Sequence, residues 1–218
     1  MTLTDIAERL NQDYGPQSKK GKKAEKAEKL PAAFFITDHT AVPDPEKIIA
    51  RLSKKCGVIF RDYDHLERKQ LGQQLSRACR DRGLIFLVAG DVELAQSLTA
   101  DGVHLPEGKM AQAKDIHTAH PHWIITAACH SLSALKQAEG LPLDAALIAP
   151  VFPTLSHPET LSGASTTLGI TGVQDMVAAT DLPLYALGGI TKENAGQLIG
   201  SGIVGLAAIR GFEGEETP

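Results

Sequence analysis

The sequence has few cysteines, few aromatic residues and no excess of positive charge. Its three cysteines, Cys56, Cys79 and Cys129, lie far apart among apolar neighbours, which is typical of reduced core thiols and not of a disulfide framework or a metal site. A net charge of −4 over 218 residues argues against a nucleic-acid-binding domain, since such domains are usually basic. No apolar run approaches the roughly 18 residues of a membrane span, and the N-terminus lacks the features of a signal peptide. These absences predict a cytoplasmic protein whose partner is neither nucleic acid nor a membrane.

Apolar residues make up 43% of the chain, enough for one substantial core. From residue 34 onward, eight short apolar blocks alternate with helical patterns, which is the order of a parallel eight-stranded (β/α)8 or TIM barrel. We expect the first and the eighth strand to pair and close it. The predicted strands span residues 34–37, 58–61, 84–88, 102–105, 123–126, 145–149, 184–187 and 203–207. The predicted helices span residues 45–55, 65–82, 91–98, 109–117, 131–140, 168–180 and 191–200.

A short N-terminal extension, residues 1–31, precedes the barrel domain of residues 32–218. Its lysine-rich segment 19–29 carries six lysines and two glutamates and no large apolar residue, so we expect a flexible linker or a solvated, fraying helix. Ahead of it, apolar residues recur at helical spacing from Leu3 to Leu10, with Thr4 as the expected N-cap. So short a helix is stable only when it docks. We expect it to cover the face of the barrel for which no closing helix remains after the eighth strand.

The seventh and eighth predicted strands end in turns that favour an anion. Gly188 and Gly189 leave the backbone bare at the start of a predicted helix, and the unpaired N–H groups there can bind phosphate. Ile209 and Arg210 follow the eighth strand, and the guanidinium adds a permanent charge. The last two loops of a TIM barrel commonly form a phosphate site. The sequence therefore predicts a phosphate site at these four residues, with two ordinary glycine turns as the alternative.

Polar residues also follow the other predicted strands, where TIM barrels carry their chemistry. Arg61 is a fixed cation, while His104 and His130 are either buried barrel residues or acid–base groups. The long loop 150–167 is rich in hydroxyl groups, and a loop of this length is more often a binding loop than a plain connection.

Six short motifs fall in the order and spacing of the thiamine phosphate synthases, and the chain resembles that family over residues 33–212. The resemblance implies a (β/α)8 barrel that joins a hydroxymethylpyrimidine diphosphate to a thiazole phosphate, releasing pyrophosphate with the help of Mg²⁺. The implied partner is a small phosphorylated metabolite of the thiazole phosphate or thiamine phosphate class, and homo-oligomerisation stays open. The motifs are residues 33–38 (AFFITD), 100–105 (ADGVHL), 130–131 (HS), 150–154 (PVFPT), 168–169 (LG) and 186–190 (ALGGI).

The resemblance also assigns roles to single residues. It implies catalytic roles for Arg61 and His157. It implies substrate-binding roles for His104, His130, Thr154, Ser156 and Gly169.

Several family positions carry other residues in this chain. The family's two metal carboxylates fall on Gly90 and Lys109, so no metal ligand is assigned and Mg²⁺ is not a certain cofactor. The lysine of the family's diphosphate grip falls on Tyr63, and a phosphate-binding serine falls on Arg210. The superfamily also contains thiazole tautomerases, but the histidine expected of those is Ala149 here.

These departures leave two functions open. The first is a thiamine phosphate synthase, in which Arg61 and His157 meet the charge that develops on the leaving diphosphate. The alternative is a non-catalytic ligand-binding or regulatory paralogue that has lost synthase activity.

Overall fold

The computed structural model describes residues 1–17, 29–156, 158–163 and 166–214. Eight parallel strands pair in chain order and form a closed barrel. The predicted closure is confirmed, because Phe34 pairs with Ala207 and Phe35 with Ala208. The strands are β1 (Ala33–Ile36), β2 (Cys56–Phe60), β3 (Ile85–Ala89), β4 (Gly102–Leu105), β5 (Ile124–Cys129), β6 (Ala145–Ile148), β7 (Leu184–Leu187) and β8 (Gly205–Ala208).

Helices cover the outside of the barrel. Asp91 and Ser131 start two of them, since their side chains accept hydrogen bonds from the N–H groups of Leu94 (2.9 Å) and Ala134 (3.1 Å). The helices are α1 (Leu3–Gln17), α2 (Pro45–Ile49), α3 (Arg68–Arg82), α4 (Val92–Ser97), α5 (Ala113–Ala119), α6 (Leu132–Ala138), α7 (Pro158–Leu161) and α8 (Gly169–Ala178). Two 3-10 helices span Glu107–Gln112 and Ala195–Leu198.

One expected helix is mostly replaced by turns. The pattern predicted a helix over 191–200, but only the 3-10 helix Ala195–Leu198 forms there. The side chain of Asn194 accepts a hydrogen bond from the N–H of Thr191 (2.9 Å) and donates one to the carbonyl of Gly189 (2.7 Å). Such local side-chain bonds compete with helix formation.

Helix α1 takes the position of a closing helix. Its apolar residues from Leu3 to Leu10 are buried in the barrel's core, and the side chain of Asn11 donates to the carbonyl of Val204 at 3.2 Å. The expected cap at Thr4 was wrong. The helix begins at Leu3, and its cap is Thr2, whose hydroxyl accepts from the N–H of Asp5 at 3.0 Å. Residues 18–28, nearly all of the lysine-rich segment, lie outside the described residues, so its flexibility stays a prediction.

Side chains fill the inside of the barrel. Tyr185 is fully buried there, its ring lies 5.1 Å from that of Phe34, and its hydroxyl donates to the carbonyl of Pro31 at 2.5 Å. Tyr14 and Leu30, which precede β1 in the chain, belong to the same buried cluster as Phe34, Ile36 and Tyr185. The interior is therefore a packed core and not a pore.

Two further expectations concern the whole chain. All three cysteines are buried and free. Among the residues the structure describes, no helix has both the length and the apolar character needed to cross a membrane.

Candidate active site

A cavity of about 650 Å³ lies at the C-terminal ends of the strands. It is the end at which TIM barrels place their active sites. Nine of the eleven residues predicted from the sequence line it: Arg61, His104, His130, Thr154, Ser156, Gly188, Gly189, Ile209 and Arg210. Of the other two, Gly169 does not line the cavity, and His157 lies outside the described residues. The fold thus gathers residues from separate motifs into one space, while their roles stay predictions.

The glycines after β7 are required by the neighbouring loop. Gly188 and Gly189 have φ angles of 94° and 65°, a conformation that favours glycine. A Cβ atom on Gly189 would lie 2.7 Å from the carbonyl oxygen of Phe152 and would also collide with that of Pro153. The N–H of Phe152 donates to the carbonyl of Gly188 at 3.0 Å. The bare backbone therefore serves the packing of the loop after β6 as well as the cavity.

The phosphate end of the cavity relies on backbone donors and on Arg210. Without a full helix after Gly189, little dipole supports an anion there. Among the described residues, the N–H groups of Gly189, Ile190, Ile209 and Arg210 have no hydrogen-bond partner. The exposed guanidinium of Arg210 likewise has no acidic partner within the described chain. This end therefore offers several N–H donors beside one unpaired cation.

Besides Arg210, the cavity wall carries two basic and three acidic side chains: Arg61, Lys192, Glu107, Glu193 and Glu213. Lys192, which the sequence analysis did not assign, lies just beyond the glycine turn, and its ammonium is 3.9 Å from the carboxylate of Glu193. Its position three residues after Gly189 was the signal that could have identified it. Glu107 and Glu213 also line the cavity, so Arg210 is the cation least compensated by a nearby acid.

Arg61 follows β2, lines the same cavity and is already paired. Its guanidinium forms an ion pair with Asp38, and its side chain remains 37% exposed. The N–H of Arg61 donates to the hydroxyl of Thr37 at 3.0 Å, and that hydroxyl donates to the carboxylate of Asp62. An incoming phosphate group must therefore compete with Asp38 for this arginine.

The carboxylates near Arg61 are also engaged. Asp62 is buried and accepts from the backbone N–H of His39 at 2.5 Å, with the imidazole Nδ1 of His39 2.9 Å away. Asp91 caps α4 and pairs with Arg68 at 3.2 Å. Within the described ranges no group of three potential ligands could hold a metal.

The two histidines of the cavity differ in character. His104 is 8% exposed, and its Nδ1 lies 2.9 Å from the hydroxyl of Thr126. Burial, with smaller contributions from His130 and Arg61, lowers the pKa of His104 to about 4, so it is neutral near pH 7. Nδ1 of His130 lies 3.0 Å from the carbonyl of Ala149. Because a carbonyl only accepts, Nδ1 carries the hydrogen, and Nε2 of a neutral His130 is left as an acceptor.

The loop after β6 supplies Thr154 and Ser156. The N–H of Thr154 donates to the hydroxyl of Thr160 at 2.9 Å, and the N–H of Ser156 lies 3.4 Å from the hydroxyl of Thr154. Gly169, which has a φ angle of 58°, donates its N–H to the carbonyl of Val151 at 2.9 Å. Gly169 thus anchors the end of the loop.

The sequence analysis missed an aromatic and guanidinium stack at the β2 side of the cavity. The guanidinium carbon of Arg68 lies 5.3 Å from the ring centres of both Phe60 and Tyr63. Tyr63 lines the cavity and is 47% exposed. Arg68 is the first residue of α3 and belongs to no recognisable motif. Only its spacing from two aromatic residues could have indicated the stack.

Comparison with known proteins identifies relatives of the chain. Residues 25–212 match the family model described as "Thiamine monophosphate synthase". The thiamine-phosphate synthase of Bacillus velezensis is 32% identical over 197 residues, covering 87% of this chain and 86% of that protein. The thiamine-phosphate synthase of Lactiplantibacillus plantarum is 29% identical over 187 residues, covering 81% and 84%. The solved thiamine phosphate pyrophosphorylase of Pyrococcus furiosus is 25% identical with a TM-score of 0.68, covering 82% of this chain and 85% of that one.

Proposed function

Because this chain belongs to the thiamine monophosphate synthase family, we propose that it joins a hydroxymethylpyrimidine diphosphate to a thiazole phosphate and releases pyrophosphate. One observation carries the proposal: a single cavity collects nine predicted site residues, among them Arg61 after β2 and Gly188, Gly189 and Arg210 after β7 and β8. A bisubstrate transferase needs such a space, because the two substrates must meet in one orientation. Because the protein belongs to a family of biosynthetic transferases, we expect it in the cytoplasm.

The thiazole phosphate binds at the end formed by the turns after β7 and β8. Its phosphomonoester accepts hydrogen bonds from the free N–H groups near Gly189 and Ile209 and from the guanidinium of Arg210. Hydrogen bonds between charged partners are shorter and stronger than neutral ones. This end therefore holds the phosphate of the thiazole substrate inside the cavity.

The pyrimidine diphosphate binds on the side of Arg61. When the bond between the pyrimidine methylene carbon and the diphosphate oxygen breaks, its electron pair leaves with pyrophosphate, and the thiazole nitrogen bonds to that carbon. Arg61 meets the negative charge that develops on the leaving group. Its ion pair with Asp38 holds the guanidinium in place before the substrate arrives. His130, through Nε2, accepts a hydrogen bond from the substrate.

An assay with both substrates and Mg²⁺ tests the proposal. Formation of thiamine phosphate and pyrophosphate is the expected result. Arg61→Ala should lower turnover at least tenfold, whereas Arg51→Ala, which changes an exposed arginine outside the cavity lining, should leave turnover unchanged.

Calorimetry with thiazole phosphate alone completes the test. Binding of this ligand without any turnover would contradict the synthase proposal and would identify a non-catalytic paralogue.

A further inference from the structure

The guanidinium of Arg68 lies over two aromatic rings at the β2 side of the cavity. Its central carbon is 5.3 Å from the ring centre of Phe60, which is buried, and 5.3 Å from that of Tyr63. Phe60 belongs to β2 and Arg68 begins α3, so two elements of the fold hold the guanidinium against Tyr63. Tyr63 is the only one of these three residues that lines the cavity.

Arg68 is held firmly in this position. One of its terminal nitrogens donates to the carbonyl of Ala89 at 2.8 Å, and the other pairs with Asp91 at 3.2 Å. Both partners lie at the end of β3. Because a guanidinium bonded at both nitrogens cannot rotate freely, it offers Tyr63 a fixed flat surface.

Gly90 lies against the edge of the same ring. A Cβ atom on Gly90 would lie 3.1 Å from Cε1 of Tyr63. A larger residue at position 90 would therefore push the tyrosine ring from its place. The small residue after β3 and the aromatic residue after β2 consequently form a matched pair, and the ring occupies space next to the end of β3.

We infer that Tyr63, fixed by Arg68 and Gly90, is a specificity-determining residue that binds a planar heteroaromatic ring by stacking. A half-exposed ring at a cavity wall presents an apolar face to a ligand, and aromatic rings prefer offset-stacked or edge-to-face partners. A pre-fixed ring loses little entropy when the ligand arrives. On the proposed function, which this inference deepens, the ring is that of the pyrimidine substrate.

The cavity wall at Tyr63 offers an aromatic ring face to a ligand and not a charged group. Tyr63 offers no positive charge; the carboxylate of Asp91 pairs with Arg68, and that of Asp62 accepts from the backbone N–H of His39. Recognition here therefore depends on the flat ring of the ligand and not on its diphosphate. A pyrimidine without any phosphate should still bind.

Calorimetry with hydroxymethylpyrimidine, the phosphate-free alcohol, tests the inference. Tyr63→Leu should weaken its binding about three- to tenfold, and Tyr63→Phe should bind as the wild type does. Leu66→Ala is the matched control, because Leu66 is fully exposed in the same loop and does not line the cavity. None of the three variants should change the affinity for thiazole phosphate.

A second measurement does not depend on any variant. Stacking on a tyrosine ring should move the ring-proton signals of the bound pyrimidine upfield in the wild-type protein. Absence of that shift, unchanged pyrimidine affinity in Tyr63→Leu, or a loss of affinity for thiazole phosphate instead would each overturn the inference. Turnover is measured separately: a Tyr63-dependent pyrimidine site without turnover would contradict only the proposed function, and turnover without that dependence would contradict only the inference.

Discussion

Replacement of Arg210 by alanine tests which side of the cavity holds a phosphomonoester. Arg210 follows β8, lines the cavity and has no acidic partner among the residues described. Arg61, the other arginine of the cavity, is paired with Asp38. An unpaired guanidinium can give its full charge to a ligand, whereas a paired one must first release its carboxylate. We therefore expect Arg210→Ala to weaken the binding of thiazole phosphate more than Arg61→Ala does.

The expected size of the effect follows from the exposure of Arg210. A hydrogen bond to a charged group contributes about 1.5–3 kcal/mol, and solvent screening reduces the value at an exposed site. About 1.4 kcal/mol corresponds to a tenfold change in affinity. We expect a weakening of roughly tenfold for Arg210→Ala, and a smaller one for Arg210→Lys, which keeps the charge but loses the forked donor geometry.

Calorimetry with thiazole phosphate and with the dephosphorylated thiazole alcohol measures this effect. Arg210→Ala should barely change the affinity for the alcohol, and the difference between variant and wild type for the phosphate should shrink in high salt. The reasoning is refuted if Arg61→Ala abolishes phosphate binding while Arg210→Ala has no effect, because the phosphomonoester would then bind at Arg61 and not at Arg210.

Three further predictions concern stability. Gly189→Ala should lower the free energy of unfolding in urea by more than Gly200→Ala, because both glycines have positive φ angles but only Gly189 has backbone atoms in the path of a Cβ atom; equal losses would show that the loop after β6 moves aside. His104 has a pKa of about 4 in the folded state against an ordinary value of 6.5, so the unfolded chain binds more protons between these values and stability falls as pH drops from 6.5 toward 4. Urea titrations at several pH values should show a smaller decline for His104→Gln, and an identical decline would contradict the assignment. Thr2→Ala should cost about 1 kcal/mol by removing the cap of α1, and an unchanged thermal midpoint would show that the cap contributes nothing.

The strands could be predicted because parallel strands are buried on both faces and read as short apolar runs. The runs at Phe34, Val58 and Leu184 each mark a strand of the barrel. Closure and the position of the cavity then follow from the order of the elements. This explains why residues from separate motifs could be assigned to one end of the barrel before any geometry was known.

The contacts between side chains at the site could not be predicted, because they follow no periodic pattern in the sequence. Nothing in the sequence indicates that Arg61 pairs with Asp38, or that the guanidinium of Arg68 lies over two aromatic rings. The expected helix over 191–200 was wrong because a single asparagine side chain bonds to the turn. Contacts between residues from different loops are set by the folded backbone, so they become visible only with it.

The place of α1 on the barrel affects the order in which the protein can be assembled on the ribosome. The helix is made before all eight strands, yet the side chain of Asn11 bonds to Val204, 193 residues later. Its apolar stripe therefore stays without part of its partner surface until the last strand has been made. Contacts of such long sequence separation form slowly, and an apolar surface left open in the meantime is prone to aggregation. Chaperone dependence during synthesis should consequently be concentrated in this helix.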